Sequence, residues 1–218
     1  MNRFFFRDLL EGNPQLLERM LAFNRTAKKD AALPAGGIWE AVRRQPDLMA
    51  ALTARMPTAP AEGAYWSFTD ESERLAFFPP EVLGRIGRIV SAAVYAEDIA
   101  HSLVKSDVMA LRSFLGDDIY TYALTRGRYQ VGSLRPTLAG AVPDGTLAER
   151  CTKLARQSLE TVRAGWPEEL QHRSERLFAS VDLPEATPLD DTLRQPLWYF
   201  MKKLILRELD QEWIRYFD

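Results

Sequence analysis

Residues 79–103, PPEVLGRIGRIVSAAVYAEDIAHSL, decide the fold. Val82, Leu83, Ile86, Ile89, Val90, Ala93, Val94 and Ile99 recur every three or four positions, the spacing of a stripe that faces a core from one side of a helix. Pro79 and Pro80 suit a first helical turn, where a missing N–H costs nothing, so the helix opens there. The periodicity carries it to Leu103 or near it.

The same period continues downstream. Asp107 is placed to cap a short helix bearing Val108, Met109, Leu111, Phe114 and Leu115, and Gly116 supplies a left-handed stop. Asp117 can cap the next helix, which runs to Gly127. Residues 128–145 hold three glycines and two prolines and read as irregular or as one short β-hairpin. Thr146 and Glu149 form a capping box ahead of Leu147, Leu154, Leu159 and Val162, which predicts a long helix ending near Gly165. Pro167 opens another, and Pro184 and Pro188 separate it from a last helix spanning Leu193 to Phe217.

Upstream, a helix is expected from Pro14 through Leu16, Leu17, Met20, Leu21 and Phe23, then a loop, then a second helix over Pro46–Met56. No strand-length run of alternating β-branched and aromatic residues occurs, so the fold class is all-α. A single helical domain over 1–218 is the simplest division. An N-terminal subdomain 1–57 with a linker at 57–64, where two prolines and a glycine stand among alanines, is the other.

Apolar residues make up 46% and charged residues 27%, a composition that folds rather than one that stays disordered. The lone Cys151 rules out an internal disulfide and fits a reducing compartment. Met1 to Leu10 alternate aromatics with Arg3, Arg7 and Asp8, and no stretch of about 18 apolar residues lacks a charge, so a cytoplasmic protein is expected. The net charge is −2, with both signs mixed along the chain. That projects no field toward nucleic acid, and a protein partner is the expected ligand.

Two carboxylate-x-x-His pairs, Asp98 with His101 and Glu169 with His172, have the spacing that helical di-iron bundles use. Two further inward carboxylates would be required, and none is evident, so no metal or cofactor is expected. The helices at 107–115 and 117–126 have helix-turn-helix proportions that would offer Tyr120, Thr121, Thr125 and Arg126 to DNA, but Asp117 and Asp118 would face phosphate. Cys151, beside Leu154 and Ala155, reads as a small core residue, and no nucleophile motif is present, so no enzyme is expected. The wide apolar stripe of the last helix reads as a buried face; the alternative is that Trp213, Tyr216 and Phe217 at its end anchor a partner. The same two readings apply to Phe4, Phe5 and Phe6, so Trp213, Phe217, Phe4, Phe5 and Phe6 are the candidate partner-binding residues.

The segment Leu75–Tyr129 resembles the type III secretion accessory proteins of the SctK or YscK family. The resembling pieces are Phe78, Pro79, Pro80 and Glu81 at the helix start, AEDIAHSL at 96–103 and VMALRSFLGDDIYTYAL at 108–124. They cover about a quarter of the chain. The resemblance implies a non-enzymatic adaptor of an injectisome sorting platform at the cytoplasmic face of the bacterial inner membrane. It also implies the partners: the switch-ring or pod protein, the cytoplasmic domain of the inner-membrane ring protein, and the ATPase stator. It supplies no catalytic residues.

Overall fold

A computed structural model describes residues 19, 20, 23, 65, 67–214, 216 and 217. The chain divides into two compact units, one of residues 78–210 and one that joins the residues up to Phe77 with those from Gln211 onward. All regular elements among the described residues are helical, which makes the fold all-α. None of these helices is long and apolar enough to cross a membrane. The expected linker at 57–64 and the helix at 46–56 lie outside the described residues.

In the larger unit, α1 (Pro80–Val94) opens with Pro80 in its first turn and buries Leu83, Ile86, Ile89, Val90 and Ala93, as its period requires. It stops earlier than expected. Tyr95 leaves the helix at φ −96°, ψ 15°, and α2 (Ala96–His101) starts afresh. The cause is the phenol, which is fully buried and donates to the carbonyl of Val142 at 3.3 Å.

Then come α3 (Lys105–Leu115) and α4 (Asp117–Thr125). Neither aspartate caps as expected: α3 begins at Lys105 with Val104 at its cap position, and Asp107 lies inside the first turn, where the helix dipole still favours it. Gly116 does stop α3, at φ 80°, and itself occupies the cap position of α4. Asp117 instead pairs with Arg112 at 2.9 Å and Asp118 with Arg85 at 2.6 Å.

No hairpin forms in 128–145. The segment coils through 3-10 turns at Gly127–Tyr129 and Gly132–Leu134 into α5 (Arg135–Gly140). Pro136 sits in the first turn of α5, where its lack of an N–H suits a helix start and would have broken a strand ladder. Arg135 anchors the segment on Glu97 at 2.7 Å and Asp98 at 3.2 Å.

The expected capping box starts α6 (Leu147–Arg163): the Thr146 hydroxyl accepts from the Glu149 amide, and the Glu149 carboxylate accepts from the Thr146 amide at 2.8 Å. α7 (Glu168–Ala179) follows Pro167, and α8 (Arg194–Glu208) follows a 3-10 turn at Asp191–Leu193. α1 and α6 meet at Gly87. A Cβ there would stand 2.7 Å from the carbonyl oxygen of Ala155, so only glycine permits the approach. Between α6 and α7 runs a buried charged chain. Arg156 donates to the Phe178 carbonyl at 2.8 Å and pairs with Glu160 at 2.7 Å, and Arg163 takes the other oxygen of Glu160 at 2.9 Å.

The last helix does not run unbroken from Leu193 to Phe217. Leu209 turns extended, and a short α9 (Gln211–Ile214) follows in the smaller unit. The new start falls where Asp210 and Glu212 bring acids to a helix N-terminus. In that unit Arg19, Met20 and Phe23 are helical and Glu71–Phe77 forms a 3-10 helix. Its described part centres on an aromatic cluster in which Phe23 meets Phe68 edge-on at 5.6 Å and Phe68 meets Phe77 at 4.4 Å. Arg74 joins the two pieces of chain by donating to the Tyr216 carbonyl at 2.6 Å.

Candidate functional site

An open groove of about 690 Å³ lies in the larger unit between α3, α6 and the segment after α7. α3 contributes Ala110, Ser113 and Phe114, and α6 contributes Ala148 and Thr152. The third wall, residues 184–187, is held off helical geometry by Pro184 and Pro188. A smaller hollow of about 380 Å³ continues it past Val181 and Asp182.

The third wall is strapped down. Val181 and Leu183 are buried, and Arg88 of α1 donates to the Asp182 carbonyl and pairs with its carboxylate, each at 3.1 Å. The same guanidinium lies over the Phe114 ring at 5.6 Å, so one side chain braces two walls. Further along, the Leu189 amide donates to Thr161 at 2.8 Å.

The floor of the groove is made of small apolar and hydroxyl side chains, with Lys153 and Glu185 exposed among its lining residues. Glu149 is committed to capping, and its bonds to Thr146 hold its carboxyl below the usual range. Cys151 lies behind the wall with no exposed surface, and burial pushes its thiol up to about 12, which leaves it inert. Ahead of α3 Leu103 is 90% exposed and Val104 is exposed, as is Met109 within that helix.

The other sequence candidates are not assembled into sites. Asp98 is tied to Arg135, while His101, Glu169 and His172 are exposed, His172 lying 3.7 Å from Glu175. Among the described residues no group of three or more His, Cys, Asp or Glu stands close enough to hold a metal. Of the residues offered to DNA, Tyr120 is buried, and Thr121 and Thr125 spend their hydroxyls on the α4 backbone. Arg126 pairs with Glu208 at 2.9 Å.

Of the candidate aromatic anchors, Phe217 is 5% exposed, the buried alternative of the two readings. Trp213 is half-buried, 6.2 Å from the Tyr216 ring. Phe4, Phe5 and Phe6 lie outside the described residues. The groove itself escaped the sequence because its third wall has no period. Its only signal was the pair Pro184 and Pro188, which mark a segment that cannot be helical.

No family model, no curated protein and no solved structure matches the chain.

Proposed function

We propose that this chain is a non-enzymatic adaptor in the sorting platform of a type III secretion injectisome. It would link the cytoplasmic domain of the inner-membrane ring protein to the switch-ring or pod protein, with the ATPase stator as a further neighbour. In that role it sits at the cytoplasmic face of the bacterial inner membrane and is held there by partners alone. Residues 75–129 support the family reading through the motifs quoted above.

One observation carries the binding role. Ala110, Ser113 and Phe114 belong to the resembling segment and also form a wall of the open groove, and the exposed Leu103, Val104 and Met109 belong to it too. Apolar side chains left in water, and an open concave surface on the same helix, are features that a protein partner uses.

The test is co-purification with the pod protein and with the inner-membrane-ring domain, using the wild-type chain and Ala110→Arg. This substitution fills the groove from an exposed helical position without harming helix propensity. We expect it to weaken one partner at least about tenfold while the other partner and the thermal melt stay unchanged. Failure of the wild-type chain to bind either protein overturns the reading.

A further inference from the structure

Away from the groove, the end of α4, the turn at 127–130 and the second half of α8 form one edge of the larger unit. Three hydrogen-bonded contacts tie it together. Arg126 pairs with one oxygen of Glu208 at 2.9 Å, Gln130 donates to the other at 3.0 Å, and Lys203 donates to the Gln130 carbonyl at 3.2 Å. Glu208 thereby spends both oxygens in a largely buried position, although its neighbours carry far more positive charge than it cancels.

Arg126 keeps most of its side chain in solvent. Arg207 is exposed with no ion-pair partner among the described residues, close enough for its charge to act on the buried Tyr122 phenol. Arg128 lies over the Tyr129 ring at 4.6 Å. Two large aromatics stand out of this basic edge, Tyr129 at 70% and Tyr199 at 63% exposure, and Tyr199 shares a helix face with Lys203 one turn on. Exposed tyrosines among arginines are the residue types that dominate protein interfaces, and a cation already stacked on its ring is preorganised to receive a carboxylate.

We infer that this edge is a second interaction surface, for an acidic segment of a protein partner. The carboxylates of that segment meet Arg126, Arg128, Lys203 and Arg207, and an apolar side chain packs against Tyr129 and Tyr199. Complementary charge supplies the steering and the choice of partner, and the tyrosines supply apolar contact. The distance from Tyr199 to Arg207 along α8 is about 12 Å, which suits a segment of a few extended residues rather than a long polyanion. The net charge of −2 also denies nucleic acid or an anionic membrane any long-range attraction. This inference goes beyond the adaptor reading and stands on the charge and geometry of the edge alone.

The experiment titrates the full chain into a fluorescein-labelled 12-residue peptide of Asp and Glu with one central Phe, at 50 mM and 300 mM NaCl. Comparison probes are the same peptide with Lys for its acids, a single-stranded oligonucleotide, and vesicles containing phosphatidylserine. We expect the acidic peptide alone to bind, more weakly at the higher salt because the charges are exposed. The double variants Arg128→Glu with Arg207→Glu, and Tyr129→Ala with Tyr199→Ala, should each weaken it at least about tenfold with unchanged melts, and Ala110→Arg should leave it unaffected. Any of three results overturns the inference: no binding of the acidic peptide at 50 mM salt, binding that survives both double variants, or tighter binding of the oligonucleotide or vesicles. None of these bears on the co-purification test of the groove.

Discussion

Replacing Gly87 with alanine sets two effects of known size against each other. In a helix interior the exchange ordinarily stabilises by about 1 kcal/mol, because glycine loses more backbone freedom on folding. Here the new methyl would sit 2.7 Å from the Ala155 carbonyl oxygen and 3.2 Å from its carbon, with Leu183 Cδ1 at 3.3 Å. The first two obstacles are backbone atoms of α6, so relief requires the two helices to part. Overpacking of this kind costs about 1–3 kcal/mol, and a rigid obstacle belongs at the upper end of that range. The net expectation is a loss of about 2 kcal/mol, or about 4–8 °C in melting temperature for a chain of this size.

Gly84 is the control within the same helix. Its added methyl would meet Arg88 at 3.5 Å and Val181 at 3.6 Å, ordinary contact distances, so only the propensity gain remains. Gly84→Ala should therefore raise the melting temperature by about 2 °C. Thermal melts followed by circular dichroism at 222 nm, with urea titrations to compare slopes, measure both variants. A Gly87→Ala protein that melts at or above wild type, or two variants that shift in the same direction, would refute the claim that the α1–α6 crossing is set by a missing Cβ.

Burial raises the Glu73 carboxyl from 4.5 to about 7, with Asp70 adding to the rise and a hydrogen bond with Tyr65 opposing it. Stability is therefore full below about 4.5, falls as pH climbs toward about 7 and has lost this contribution above it, by at most about 3 kcal/mol, and Glu73→Gln should flatten a melt series from pH 4 to pH 8. Phe217→Ala should cost about 3 kcal/mol because the ring is buried, and a urea midpoint equal to wild type would restore its reading as a surface anchor.

Helix class and most of the helix starts were legible in the residues, because one-sided apolar periods and local caps leave their signal within a few positions. The Thr146 and Glu149 box and the Gly116 stop are of this kind. What was hidden depends on partners far along the chain. Tyr95 breaks a helix for a carbonyl 47 residues away, and Arg156 turns inward because the Phe178 carbonyl waits on another helix. Apolar counting puts neither residue inside. The groove depends on a segment without a period, and the basic edge on cations from three elements, so neither has a contiguous sequence to read. The aromatics of the last helix left two readings open for the opposite reason: a wide apolar stripe looks the same whether it faces water or packs in its own unit.

The contact between Arg74 and the Tyr216 carbonyl spans 142 residues and joins the two strings of sequence that make the smaller unit. On a ribosome adding roughly 5–20 residues per second, the first of these strings waits roughly 7–30 s for the second to be synthesised. The larger unit is contiguous and is itself synthesised during that interval. The chain is thus made with a delay between the parts of its smaller unit: Phe68 and Phe77 lack Tyr216 for as long as residues 78–210 are being added, and a chaperone that shields exposed aromatics has its opening in that gap.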